Sequence, residues 1–460
     1  MSGRLIESLA TTPALAALFS DEAVLRAMLE FETALARAEA RCGVIPAEAA
    51  EPITGAARLD KFDISALADA AFRAGTPAIP LVKMLTDQVR EIDAEAARFV
   101  HWGATSQDVA DTAMSLLLKR AEPILVADLL RLEAALADLS ERHKQSVMLG
   151  RTLLQPAPPV TFGLKAAGWL ASVGRGKRRL QKTFRVAAVL QFGGASGTLA
   201  ALGNRGISVT EALSAELGFG DSPPAPWHTQ RDQLATLICA CGVLTASLGK
   251  MARDISLLMQ NEVGEASEQG GEGRGGSSTM PNKRNPTACS LTLAAAHRVP
   301  GLVASFLSAM LQEHERGVGG WQAEWPVVAR VIQSTGVAVA SMAEVAEGLS
   351  VDAQKMRLNI ENTNGAIFAE RAMMMLGAKL GRDVAHKVVE AAVRKSVKEG
   401  KHLAAVLAQT PEVTTHLSHA ELKELETPEQ YLGSAEAFRK ALASESDRED
   451  DVRQDDNKEQ

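Results

Sequence analysis

The chain of 460 residues is predicted to fold as an all-α protein around an elongated central bundle of long helices. Three observations carry that prediction. Apolar residues recur at steps of three and four over long stretches, capping residues stand at the ends of those stretches, and alternating strand-like patterns are scarce.

In chain order, Ser20 is an N-cap with Asp21 and Glu22 in the first turn, and Val24, Met28, Phe31, Leu35, Ala38 and Cys42 form one stripe that Gly43 ends. After Gln107 a longer run carries Leu125, Leu129, Leu132, Leu136 and Leu139, with Pro123 expected to kink or restart it. A third stripe between Asp232 and Glu262 holds Leu234, Leu237, Cys241, Leu244, Leu248, Met251, Ile255 and Leu258. At ~1.5 Å per residue that helix is about 45 Å long. Further long helices are expected from Pro286 to His314 and from Glu324 to Leu349. The one strand-like stretch is Val186 to Phe192, and from Val351 the helices shorten, with breaks at Gly381 and at Thr427-Pro428. The organisation expected is an N-terminal helical domain over 1–106, a long-helix bundle over 107–350 with a mobile loop at 264–285, and a C-terminal helical domain over 351–443. An acidic, disordered tail over 444–460 completes it.

Composition narrows the class of function. With 46% hydrophobic and 23% charged residues, the chain is neither disordered nor collagen-like. Much of its net charge of −7 comes from the tail, which holds eight acidic and three basic residues. The nearly neutral remainder gives no general field for nucleic acid. Cys42, Cys239, Cys241 and Cys289 form no CxxC pair or Cys/His cluster, so a reduced, cytoplasmic chain without structural zinc is expected. No signal peptide or membrane span is read from the sequence. No acidic or histidine cluster has ligand spacing, so neither a metal nor an organic cofactor is implied.

The most informative segment joins two long helices. Six glycines stand between Gly264 and Gly276, and hydroxyls, Lys283 and Asn285 follow just ahead of a helix N-terminus. Backbone N–H groups, a positive helix end, a lysine and an amide suit an anion. By composition alone the segment is either such a functional loop or a solvated surface connection.

The string Gly276-Ser277-Ser278-Thr279-Met280-Pro281-Asn282-Lys283-Arg284-Asn285-Pro286 resembles the GSSxMPxKxNP signature of the fumarase/aspartase superfamily. Two other segments of that family follow the same order. His101-Trp102-Gly103-Ala104-Thr105-Ser106-Gln107-Asp108 resembles HxGxTSxD, and Gly150 to Gly163 resembles GRTHxQxAxPxTxG. The departure is Leu153, which stands where lyases of the superfamily carry a histidine that serves as general acid. A leucine transfers no proton. One branch lacks that histidine too and is similar to this chain at Val160–Leu170, Gln191–Leu199, Pro226–Asp232, Gln312–Arg316 and Gly319–Trp325: the bacterial 3-carboxy-cis,cis-muconate cycloisomerases.

The resemblance implies a three-domain fold, homotetramers with each active site drawn from three subunits, and a di- or tricarboxylate substrate from the protocatechuate pathway. It implies intramolecular addition of one carboxylate to a double bond conjugated with another, giving a γ-lactone. Run backwards, the leaving group is a carboxylate. With a pKa of about 4 it departs as an anion without an acid, whereas an amine needs a proton. By the same resemblance Lys283 and Asn285 hold the activated carboxylate, Thr105 and Ser106 supply hydroxyls, and His101 is a further donor. Ser277 is the proposed base, with Ser278 its rival. Arg151, with Thr152 and Gln155 of the same segment, and Arg231 and Arg316 are the remaining substrate-binding candidates. An arginine standing alone is more often a surface ion pair, but guanidinium suits carboxylates. His228 and His314 are either structural or substrate-binding.

Rival readings are a 3-sulfomuconate cycloisomerase, an adenylosuccinate-type C–N lyase, and a helical scaffold that kept the fold without activity. The second calls for histidine at Leu153, and the third does not require the loop signature to survive.

Overall fold

A computed structural model describes residues 5–220, 222–270, 275–276, 280 and 283–445 of the chain. The acidic tail beyond Glu445, and with it most of the segment expected to be disordered, lies outside the described residues.

Ser20 caps the Asp21–Arg41 helix by accepting from the Ala23 N–H at 3.2 Å, and Met28, Phe31, Leu35 and Ala38 are buried as the stripe requires. Gly43 follows with φ 65, the left-handed conformation that ends the helix. The next long helix, Ser106–Arg142, runs unbroken through Pro123, against the kink or restart expected there. Leu116, Leu117 and Leu118 before the proline and Leu125, Leu129, Leu132, Leu136 and Leu139 after it are all buried, and this packing on both sides offsets the hydrogen bond that proline removes. Further long helices follow: Phe162–Ala187, Asp232–Leu258, Thr287–Ala309 and Gly320–Gly348. In the C-terminal region Gly381, with φ 80, separates Ala369–Leu380 from Arg382–Glu399.

Strand structure lies elsewhere than expected. Residues up to Ala187 are helical, closing the Phe162–Ala187 helix, and no strand forms over 186–192. The antiparallel pair is instead Val147–Thr152 with Gln155–Thr161, bulged between Leu149 and Gly150. Pro156, Pro158 and Pro159 hide it from a propensity reading, because proline donates nothing to a ladder and is confined to edges and bulges. Gly163 fixes how this hairpin leaves the sheet. A Cβ there would sit 2.6 Å from the Ser140 carbonyl oxygen, so only glycine allows the approach.

The chain divides into two units. One comprises Met1–Leu129, Gly176–Gly249 and Leu291–Ser341, with a core that includes Leu25, Phe31, Leu85, Leu117, Phe192 and Leu213. The other comprises Leu130–Arg175, Lys250–Ser290 and Met342–Gln460, and its core joins Val147 and Leu149 of the hairpin to Phe368, Leu376, Leu403 and Leu425.

By length and composition alone Asp232–Leu258, Thr287–Ala309 and Gly320–Gly348 are apolar enough to cross a membrane, although no membrane span is expected from the sequence. Within the chain, 61% and 72% of the apolar windows of the first and third are buried, against 22% for Thr287–Ala309.

Candidate active site

Asp108 organises the first unit's share of the motif residues. It is fully buried, and its Oδ2 accepts from the N–H groups of Thr105 (3.0 Å) and Gly194 (2.9 Å). Its Oδ1 accepts from the Gly193 N–H (3.0 Å) and meets His228 Nε2 at 2.7 Å. One carboxylate thus ties the 101–108 segment to the 191–199 loop and to the histidine of 226–232. Gly194 is required at this knot, since its φ is 68 and a Cβ would meet the Gly103 carbonyl oxygen at 2.7 Å.

Further bonds draw in the 312–325 segment. Thr229 Oγ1 donates to the His314 carbonyl at 2.9 Å, and Arg316 Nη2 donates to the Ala195 carbonyl at 2.9 Å. Among the described residues no carboxylate pairs with Arg316, and the Thr105 and Ser106 hydroxyls have no protein partner. His314 is exposed, on a left-handed backbone. His228 is buried, with Nε2 held by Asp108 and its carbonyl accepting from Gln107 Nε2 at 2.7 Å. Its anchoring therefore carries the structural half of the reading left open for it.

Arg231 corrects an expectation. It is 3% exposed, its guanidinium donates to both Asp111 (2.7 Å) and Glu324 (2.6 Å), and it stacks 4.6 Å from the Trp227 ring centroid. Trp321 Nε1 donates to Asp111 as well, and Gln312 Nε2 to Glu324. The two carboxylates hold the guanidinium charged against its burial, and they engage its Nε and both Nη groups. Arg231 is thus the centre of a buried ion cluster and not a cation kept for substrate. Trp321 is part of the same cluster.

His101 has φ 59, and its Nδ1 lies 2.7 Å from Oε1 of the buried Glu32. Burial by itself would depress the imidazole, but the Glu32 carboxylate, by charge and hydrogen bond, and Asp108 behind it raise its pKa above the usual 6.5.

The second unit holds the other two segments. Arg151 makes a two-pronged pair with Glu265, at 2.9 and 2.7 Å, and Glu265 also accepts from Asn359 Nδ2 at 2.7 Å. Arg151 is therefore already neutralised, with one edge facing a cavity of about 600 Å³ that Leu154, Gln155, Asn359, Asn362 and Thr363 also line. Leu153 and Leu154 form the hairpin tip, opposite the Thr152–Gln155 pair, with φ 49 and 66. Leucine is a poor choice for a turn that needs two positive φ values, and these two are 97% and 75% exposed.

At the loop, Asn285 N–H donates to the Gly275 carbonyl at 2.8 Å and its side-chain amide to Gly276 at 3.3 Å. Lys283 is exposed, with no ion pair among the described residues. Ser277 and Ser278, the proposed base and its rival, lie outside the described residues. The helix end expected to receive an anion is already filled, since the Glu268 carboxylate accepts from the Ala288 (3.1 Å) and Cys289 (2.9 Å) N–H groups.

Several of these groups were missed from the sequence. Glu32 and Glu39 were readable as acids in phase with the buried stripe of the Asp21–Arg41 helix. Asp111, Glu265, Glu268 and Glu324 carry no comparable local signal, since the arginines they pair with are more than ninety residues away or, for Glu268, the partners lie across the loop.

The fold and these segments place the chain plainly: it belongs to the lyase family of the fumarase/aspartase superfamily. Residues 7–301 match the family described as Lyase, and residues 365–442 one described as adenylosuccinate lyase C-terminus. Within that family, a 3-carboxy-cis,cis-muconate cycloisomerase from Bradyrhizobium diazoefficiens is 49% identical over 94% of this chain and 96% of its own. The crystal structure of a 3-carboxy-cis,cis-muconate lactonizing enzyme from Pseudomonas putida matches with a TM-score of 0.90 at 43% identity, covering 97% of this chain and 99% of that one. A nitrosuccinate lyase from Streptomyces davaonensis is 44% identical over 94% of this chain and 93% of its own.

Proposed function

We propose that the chain is a cycloisomerase that interconverts 3-carboxy-cis,cis-muconate and its carboxymuconolactone. The observation that carries this reading is Leu153, at the position where superfamily lyases hold their general acid, in a chain alike over nearly its whole length to enzymes named for this reaction. In ring closure one substrate carboxylate attacks the conjugated double bond, the electron pair moves onto the second carboxylate as an aci-carboxylate, and a proton then adds to the α-carbon. The trianion and one proton become a dianionic lactone. In reverse the ring oxygen leaves as a carboxylate, and leucine suffices where it departs.

The protein's task is to stabilise the aci-carboxylate, for which each preorganised donor contributes about 3–4 kcal/mol. We assign Lys283 and Asn285 to that carboxylate, with hydroxyls from Thr105 and Ser106 and an N–H from His101. Ser277, with Ser278 as its alternative, delivers or removes the carbon-bound proton. Arg316, which no carboxylate among the described residues neutralises, takes a second substrate carboxylate. Arg151, Thr152 and Gln155 on the hairpin and His314 are binding groups, and His228 positions the loop over the substrate. No metal or cofactor enters the scheme.

The reading extends to a cytoplasmic homotetramer with shared active sites, acting in aromatic catabolism through protocatechuate, without nucleic-acid or membrane partners. The apolar surface that Thr287–Ala309 leaves uncovered and the bare leucines at the hairpin tip support such assembly.

A second reading is favoured by the nitrosuccinate lyase relative, because nitrite is also a stable leaving anion that needs no acid. An ultraviolet assay with 3-carboxymuconate, 3-sulfomuconate, unsubstituted muconate, nitrosuccinate and adenylosuccinate in parallel tests both. Loss of the diene absorbance with 3-carboxymuconate is expected, and turnover of nitrosuccinate or adenylosuccinate alone refutes the cycloisomerase reading.

A further inference from the structure

The inward face of the Asp21–Arg41 helix carries two acids where its stripe calls for apolar residues. Glu32 is 1% exposed and Glu39 fully buried. Glu32 Oε1 meets His101 Nδ1 at 2.7 Å, whereas Glu32 Oε2 and both Glu39 oxygens have no hydrogen-bond partner among the described residues. His101 is held on a left-handed backbone, and its Nε2 has no partner among the described residues. A ring fixed by a buried carboxylate at one nitrogen and left open at the other is arranged to present a donor.

The charged groups acting on His101 are Glu32 and, from the Ser106–Arg142 helix, Asp108, which is already bonded to His228 and three backbone N–H groups. Glu39 is pushed up to about 9, first by burial and then by the Glu32 charge, and so is a neutral acid at physiological pH.

We propose that Glu32 is a positioning residue for the reaction: its carboxylate fixes the His101 ring through Nδ1 and favours the doubly protonated form, so that the Nε2 proton is turned to a substrate carboxylate. The substrate half of this statement rests on the cycloisomerase reading. Charge gathers on the aci-carboxylate as the ring closes, and an imidazolium stabilises it more than a neutral imidazole does.

The test is Glu32→Gln, which keeps the size and an acceptor but removes the charge. The alkaline limb of the kcat/KM profile, where His101 loses its proton, is expected to move to lower pH. At a pH above the limb of both proteins activity then falls about tenfold per unit of that movement, and it recovers on acidification below the limb. Glu32→Asp should keep the limb near its original place, and Glu39→Gln should overlay the unaltered protein. In parallel, the His101 ring is titrated by NMR in protein labelled with ¹³C-histidine, assigned with His101→Asn. Its pKa should fall below the ordinary imidazole value in Glu32→Gln. An unmoved His101 titration, or a loss of activity equal at every pH, overturns the proposal. Because the NMR measurement needs no substrate, it decides the Glu32–His101 coupling even if 3-carboxymuconate is not turned over.

Discussion

Replacing Glu39 by glutamine is expected to stabilise the protein, by an amount that grows with pH. Glu39 titrates at about 9 in the folded chain against 4.5 for an ordinary glutamate. Between those values the unfolded chain has released the proton and the folded chain still holds it, so the folded state binds more protons and loses stability as pH rises. Each pH unit is worth 1.36 kcal/mol in this window, so the loss reaches about 3 kcal/mol at pH 7. Glutamine has the same shape and does not ionise, so the variant escapes that loss. Denaturant unfolding of both proteins at pH 5 and pH 8 measures it, and the advantage of the variant should widen by about 4 kcal/mol between the two. A difference that stays constant with pH, or narrows, refutes the account of Glu39 as a neutral buried acid.

Other perturbations separate structure from chemistry. Arg231→Met strands Asp111 and Glu324 in the interior, so it should destabilise the fold by about 3–5 kcal/mol in unfolding experiments, with KM little changed in whatever protein survives. Lys283→Met should lower kcat by about a hundredfold or more at unaltered native mass, as judged by rate assay and light scattering. Arg316→Gln should raise KM about tenfold or more, consistent with losing one charge-assisted bond; an unchanged KM removes it from the binding set. Leu153→Asp places a charge on the exposed hairpin tip and should break the assembly, which light scattering reads directly as a lower mass.

Periodicity made the long helices legible, because their buried stripes are local. The leucines from Leu125 to Leu139 and the Ser20 cap follow from spacing and residue type alone. The Val147–Thr161 hairpin was not legible, since its prolines argue against strand and its register depends on packing against residues such as Phe368 and Leu403. The site divides along the same line. The resemblance to family segments marked His101, His228 and Arg231 as candidates for one site, but whether an arginine serves substrate or structure depends on what faces it. Asp111 and Glu324 lie 120 and 93 residues from Arg231. The Glu268 cap was hidden for a related reason: nothing in a glycine-rich sequence says which acid will fold back onto the helix end.

Five of the six non-glycine residues with positive φ among the described residues (His101, Leu153, Leu154, Leu199 and His314) stand in segments shared with the family. Each holds its backbone uphill by about 1–3 kcal/mol. Glycine or asparagine at any of them would relax the chain, so a screen for heat resistance will select those exchanges early. Hardiness gained there comes from the same springs that aim the side chains, and thermostable variants of this enzyme are better sought on its long helices.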